Sequence, residues 1–423
     1  MRTAAQDFFR AEKKGQPKRR PWPALGILVL SLLAAVPAWA QEDDAAKAVV
    51  KALEGVKLGI LGYVDYSAGE MGLTDNRHQP YNKFSLTRGY LTVTKDVQPW
   101  LRMRLTTDIM QETKDTTASS TGSYLLRLKY GYGELRPKDL GPFTQVKAEI
   151  GMGHIPWLDF EESINPYRCQ GTMAVERAGV FNSADLGASL RSNLGGKLED
   201  AEKNTGDKNY DGKFGSWHLG VFNGGGYSAE ELNQNKVVEG RLSLRPLPSV
   251  LPGLQLSYFW LNGEGNQIKG NVLNGTTLTE IPNYTVNLGM VSYEHPAVTL
   301  TGQYFSTQGN AQGDWIAPKG KTLDTNGYSG FARVSAPGAK NKLSLFGRYD
   351  RFNPDAHKQY SDQAAFTMWF AGLAYDLSKG NLILVDYEAT DFQKDSGGKG
   401  ALPKADNKLG DDTKVQVVYQ LKF

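Results

Sequence analysis

The chain has 423 residues, 40% of them hydrophobic and 22% charged, with 48 basic against 45 acidic side chains. After residue 40 no stretch reaches the roughly 18 uninterrupted apolar residues that a membrane-spanning helix needs, which excludes a helical membrane protein. A single cysteine, Cys169, excludes an internal disulfide, so stability has to come from backbone pairing or a large core.

The first forty residues read as an export signal. A basic lead with Lys13, Lys14, Lys18, Arg19 and Arg20 precedes the apolar run from Ala24 to Val36, and Ala38-Trp39-Ala40 supplies the small-residue cleavage pattern. This leader holds seven basic and two acidic residues, which leaves 41 and 43 in the remainder. The formal charge of +3 therefore belongs to the leader, and nucleic acid is not an expected partner. Residues 41–56 place Ala46, Val49, Val50 and Leu53 at helical spacing and read as a short periplasmic helix.

From Lys57 to the end, the hydrophobic period becomes two. Sixteen such segments begin near residues 57, 84, 99, 122, 143, 183, 215, 235, 253, 281, 297, 326, 341, 364, 380 and 412. In Trp100–Glu112, Leu101, Met103, Leu105, Thr107 and Ile109 alternate with Arg102, Arg104, Thr106 and Asp108. In Tyr124–Leu135, Leu126, Leu128, Tyr130 and Tyr132 share one face, with Arg127 and Lys129 on the other; in Lys342–Phe352, Leu343, Leu345 and Tyr349 oppose Ser344, Phe346, Arg348 and Asp350. Short links such as Lys95–Pro99 and Ser378–Gly380 exchange places with longer polar ones such as Ser67–Lys83, Gly309–Thr325 and Gln393–Asp411.

A soluble sandwich with this period would have to bury its apolar face against a second sheet. Closing one sheet on itself instead pairs every backbone group, leaves no edge in lipid and turns the apolar face to hydrocarbon. The expectation is an all-β fold, a transmembrane antiparallel β-barrel of 16 strands with short periplasmic turns and long external loops, in the bacterial outer membrane among its lipid and lipopolysaccharide. Tyr63, Tyr66, Trp100, Tyr124, Tyr258, Trp260, Tyr304, Tyr375 and Tyr419 fall near segment ends, where aromatic girdles would place them.

Facing parity sends Arg88, Arg102, Arg104, Arg127 and Lys129 to the inside of strands two to four, and Arg191, Arg241, Arg245, Arg333 and Arg348 around the rest of the wall. Asp108, Glu149, Glu239, Asp350, Asp386 and Glu388 point the same way and would pair with some of them, which leaves a mild anion preference. The third long connection, Ile155–Asn182, carries Trp157, Asp159, Glu161, Glu162, Arg168, Glu176 and Arg177.

Other chemistry is sparsely signalled. Asp207, Asn209, Asp211 and Gly212 open a calcium-loop pattern, but His218 stands where the bidentate Glu belongs, so a polar turn is expected and no metal site. No H-E-x-x-H, G-x-S-x-G, P-loop or C-x-x-C occurs. His154 near Asp159 reads as a strand end rather than a catalytic pair, and no cofactor or covalent haem is expected. The last segment alternates Val415, Val417, Tyr419, Leu421 and Phe423, and it resembles the terminal sorting signal that the barrel assembly machinery reads, with Phe423 as its key residue.

The chain resembles a Gram-negative porin, and more narrowly the phosphate-selective porin O and P family. Four stretches carry the likeness: Ile155-Pro156-Trp157-Leu158-Asp159-Phe160-Glu161-Glu162, Ala174-Val175-Glu176-Arg177, Asp185-Leu186-Gly187-Ala188-Ser189-Leu190, and Leu219-Gly220-Val221-Phe222-Asn223-Gly224. The resemblance implies a sixteen-stranded barrel, a homotrimer, passive diffusion of small hydrophilic solutes, and a third loop folded inward as a constriction. Phosphate-selective members cluster Lys and Arg at that constriction, whereas Asp159, Glu161 and Glu162 stand here. Two other classes stay open: a barrel sheathing an electron-transfer cytochrome partner, and an outer-membrane hydrolase dependent on His154. A plugged, energy-coupled receptor is not expected, because residues 41–56 are too few for a plug.

Overall fold

The computed structural model describes residues 51, 53–111, 122–273, 275–318, 320–337, 342–378 and 380–423. The export signal and most of the 41–56 helix lie outside the described residues. Val56–Phe423 forms one compact unit.

Alternation of apolar and polar residues produces strands because each face can then meet a different solvent. Sixteen strands form the barrel: β1 (Val56–Leu73), β2 (Arg77–Gln98), β3 (Leu101–Gln111), β4 (Tyr124–Leu135), β5 (Phe143–His154), β6 (Ala184–Leu194), β7 (Gly215–Phe222), β8 (Val237–Leu244), β9 (Leu254–Glu264), β10 (Asn283–His295), β11 (Val298–Gln308), β12 (Asp324–Ser335), β13 (Leu343–Asn353), β14 (Phe366–Ser378), β15 (Asn381–Phe392) and β16 (Asp412–Lys422). Each pairs antiparallel with its sequence neighbours, and β1 closes on β16 from Leu61↔Lys422 to Glu70↔Thr413, so the sheet is a closed barrel.

The outer face is apolar and open to its surroundings at Met103, Leu105, Leu126, Leu345, Val417 and Leu421, among others. Trp100, Tyr124, Tyr258, Tyr304, Tyr375 and Tyr419 join it. Tyr63 does not: it is buried and turned inward, on the same face as Asp65 and Ser67.

Three further expectations are corrected. Ser67–Lys83 is not a long loop, because β1 and β2 keep pairing out to Leu73↔Arg77. Hydrophobic alternation stops there while backbone pairing continues. In β4, Tyr130 and Tyr132 face inward and are buried, whereas Leu126 and Leu128 face outward. The cause is a bulge: Thr106 pairs with Tyr130 and Thr107 with Leu128, so Lys129 is the extra residue and every later side chain changes face. Finally, the turn end of the barrel is not uniformly tight. Links such as 99–100 and 296–297 are short, but residues 195–214 join β6 to β7 and contain a helix, α3, at Ala201–Thr205.

The inside of the barrel is not polar all round. Phe259, Tyr284, Leu288, Phe305, Phe346 and Phe370 point inward from β9 to β14 and are buried together with residues of the connection between β5 and β6. The core therefore lies between the wall and a loop, on one side of the barrel interior.

Candidate functional site

The connection from Ile155 to Ser183 folds into the barrel because half of its side chains have nowhere else to be buried. It opens with α1 (Leu158–Ile164), whose first turn holds Asp159 and Glu161. Trp157, Leu158 and Phe160 are almost wholly buried, and a second short helix, α2 (Ala174–Arg177), is flanked by equally buried Met173 and carries Val175. Trp157 lies against Phe259 of β9 with ring centroids 5.8 Å apart, Phe181 meets the same ring at 5.4 Å, and Tyr167 meets Phe346 of β13 at 4.7 Å.

Polar contacts fix the loop where the apolar ones seat it. Glu161 accepts from the Trp157 indole at 2.8 Å and from the Gln303 amide of β11 at 2.6 Å. Burial pushes its carboxyl up to about 7 even though both donors favour the charged form. Gln170 donates to Asp386 at 3.1 Å and Glu388 at 2.8 Å on β15, and Arg177 pairs with Glu388 at 3.3 Å. Arg348 of β13 holds Asp350 at 2.7 Å and donates to the Thr172 carbonyl at 3.0 Å. Arg168 binds Glu162 at 2.6 Å and Glu176 at 3.0 Å, so the two carboxylates share one guanidinium within the loop. Cys169 is buried beside them, and burial pushes its thiol up to about 12.

The opposite wall is cationic and tyrosine-rich. Arg88 donates to the Tyr90 hydroxyl and stacks 4.9 Å from that ring, while Lys129 donates to the same oxygen at 2.5 Å. Arg104 lies 4.5 Å from the centre of the Tyr130 ring. Among the described residues none of these three has a carboxylate within ion-pair distance. Arg127 differs, pairing with Asp108 at 2.7 Å and donating to Tyr227 at 2.8 Å.

The remaining predicted cations sit elsewhere. Arg102 pairs with Asp96 at 2.6 Å beside the 99–100 turn. Arg191 binds Glu149 at 2.7 Å. Arg241 is buried between the Phe160 ring at 4.1 Å and the Tyr210 ring at 4.9 Å, donating to Ser216 and Ser243. Arg245 and Arg333 donate to carbonyls of the turn end, at Gly212 and Pro296. Glu239 is buried on β8.

His154 and Asp159 do come together, with Nε2 3.8 Å from Oδ1. The imidazole is committed, however. Its Nδ1 meets Glu149 at 2.9 Å and its Nε2 meets the Arg104 guanidinium at 3.2 Å. A guanidinium only donates, so Nε2 accepts and Nδ1–H donates, which leaves no lone pair for a general base. The Asp207 carboxylate is turned to the Lys208 and Asn209 amides, and Asp211 to Asn193 and Lys197. Among the described residues no three His, Cys, Asp or Glu side chains are grouped to hold a metal. Tyr90, Gln303 and Tyr227 were not expected at the site. Tyr90 was within reach of facing parity, two residues beyond Arg88, whereas Tyr227 comes from a Gly-rich loop with no periodic signal.

Sequence comparison finds neither a matching family model nor a curated relative. Comparison of folds does find likeness. The anion-selective porin from Comamonas acidovorans superposes with a TM-score of 0.54 at 13% identity, over 87% of this chain and 100% of that one. The outer membrane channel DcaP of Acinetobacter baumannii gives 0.55 at 12% identity, over 87% and 97%. OprB of Pseudomonas putida, in its high-pH structure, gives 0.55 at 11% identity, over 91% and 98%. The chain thus has the closed sixteen-stranded fold of outer-membrane porins.

Proposed function

We propose that the chain is an outer-membrane porin through which small hydrophilic solutes and ions diffuse passively, with a mild preference for anions. The observation that carries this reading is the eccentric interior. A loop docked on the apolar β9–β14 wall leaves Arg88, Arg104 and Lys129 without carboxylate partners on the other side. Cations held in a narrow, partly desolvated space raise the local concentration of anions. The preference is mild because Glu162 and Glu176 share the single Arg168, which leaves one negative charge beside these cations, whereas Glu161 is turned away toward Gln303. The name of the Comamonas acidovorans neighbour points the same way.

In this reading Trp157, Asp159, Glu161, Glu162, Arg168, Glu176 and Arg177 belong to the constriction loop, and Arg88, Arg104, Arg127 and Lys129 line the path beside it. Phosphate-selective porins O and P remain the proposed kin on the motifs of the 147–226 region. A homotrimer is proposed too, and one fold neighbour was solved in a trimer form, OmpT of Vibrio cholerae. A cytochrome sheath is disfavoured by the apolar core that occupies part of the interior, and a hydrolase by the committed His154. Planar-bilayer recording in a salt gradient tests the reading. Stepwise channels with a reversal potential on the anion side are expected; a silent bilayer, from protein that keeps its heat-modifiable gel shift, overturns it.

A further inference from the structure

The 195–214 segment does more than join two strands. It leaves β6 as a short stem, with Leu198 N–H donating to the Asp211 carbonyl at 2.7 Å and Lys213 N–H to the Gly196 carbonyl at 3.0 Å. Its helix α3 then reaches the 296–297 turn, where Gly206 abuts Pro296. Tyr210 turns back into the barrel in a left-handed backbone conformation, φ 48°. Its hydroxyl donates to Asp159 of the inner loop, and its ring lies 5.2 Å from Phe160. A segment from the turn end and a loop from the opposite end thus meet inside the barrel.

Between them and the wall of β5–β7 lies a polar cavity of about 590 Å³. That size suits a small organic solute. Of its three carboxylates, Glu162 meets Arg168 at 2.6 Å and Asp211 meets Lys197 at 3.3 Å, while Asp159 accepts from the Tyr210 hydroxyl and shares Arg191, at 3.7 Å, with Glu149 and Glu134. Lys147 and Lys208 also line the cavity and have no carboxylate partner among the described residues. Asn193, Asn209, Ser163 and Ser216 add uncharged donors and acceptors. Lys147 and Lys208 thus offer two ammonium groups to one negative group, and the amides and hydroxyls serve the remainder of a hydrated solute.

We propose that this cavity is a binding site for a small hydroxylated carboxylate of the sugar-acid class, at the turn-side mouth of the barrel and floored by residues 197–211. The site goes beyond the channel reading and depends on it only for sidedness. Titration calorimetry of the full chain in detergent uses gluconate as the probe, with glucose and inorganic phosphate as comparisons. Saturable gluconate binding is expected, tighter than either comparison and weakened about tenfold or more in the K147Q/K208Q double variant, since each lysine supplies a charge-assisted contact. A second variant, with residues 199–210 replaced by a short Gly-Asn link, removes the floor and should abolish binding while the barrel keeps its heat-modifiable gel shift. No saturable binding overturns the site, as does binding unchanged in K147Q/K208Q. Phosphate binding as tight as gluconate overturns the ligand class. In bilayers, gluconate added on the turn side should block current at lower concentration than from the loop side. Protein that binds gluconate but never conducts would sink the channel reading and leave the site standing.

Discussion

Gln303 of β11 donates its side-chain amide to Oε1 of Glu161 at 2.6 Å, tying the inner loop to a strand 142 residues further along the chain. Because Glu161 is buried, its carboxyl is pushed up to about 7 in the folded loop, while in the undocked loop it returns to the ordinary range. A native pKa above the unfolded one means that the docked state binds the proton more tightly. Docking is therefore strongest below the ordinary carboxyl range and weakens as pH rises through about 7. Amide exchange protection across 158–164, corrected for intrinsic rates, should fall between about pH 5 and about pH 8 in the wild type and stay flat in E161Q. A wild-type profile as flat as that of E161Q would refute the assignment.

Arg102 and Arg104 share a strand face but not a role in the electrostatics. Arg102 is neutralised by Asp96 at 2.6 Å, whereas Arg104 meets only Thr106, Tyr132 and His154 among its hydrogen-bond partners. Reversing the charge at Arg104 should therefore move ion selectivity toward cations far more than the same change at Arg102. A unit charge at about 4 Å in a water-like medium is worth about 1 kcal/mol, so a reversal, which changes two units, corresponds to about thirtyfold in permeability ratio. Reversal potentials of R104E and R102E in a salt gradient read the difference directly, and equal shifts in the two would overturn it.

The barrel was legible because its cause is local: a period of two marks a strand wherever it occurs, and fifteen of the sixteen expected segment starts lie within three residues of the observed ones. The exception, β2, begins at Arg77 rather than near residue 84, because a hairpin wet on both faces pairs without alternating. Register defects were not legible. The bulge at Lys129 follows from a mismatch with β3, and nothing in the β4 segment itself shows that Tyr130 must turn inward. The inner core was half visible, since Phe346 already stood among Ser344, Arg348 and Asp350 on the inward face. What such a phenylalanine packs on depends on a loop more than 160 residues earlier, and that contact leaves no trace in periodicity. Tyr210 and its neighbours were read as a polar turn for the same reason.

Phe259 is the ring on which the loop rests, in contact with Trp157 and Phe181 on one side of the interior and itself fully buried. Truncating it leaves a cavity that neither the rigid wall nor the docked loop can fill. Phe259→Ala should cost loop docking about 3–5 kcal/mol, the usual penalty for deleting a buried phenyl. The wall itself, held by backbone pairing, should keep its gel mobility. Faster proteolysis within 158–181, together with noisier open-channel current, is the expected signature. Unaltered cleavage kinetics would show that the polar ties alone hold the loop.

Phe423 closes the chain in two separable ways. Its backbone exchanges hydrogen bonds with Ile60 of β1, N–H to carbonyl at 3.1 Å in both directions, while its side chain stays largely exposed on the outer face. Deleting the residue removes both features, whereas Phe423→Ala keeps the backbone bonds and removes only the ring. If the ring is what the assembly machinery reads, F423A and the deletion should lower the folded outer-membrane fraction to a similar extent, with synthesis unchanged. If backbone closure is what matters, only the deletion should fail. Normal assembly of F423A in cells, measured as the heat-modifiable fraction of total protein, would therefore take the signal away from the side chain and assign it to the β1–β16 seam.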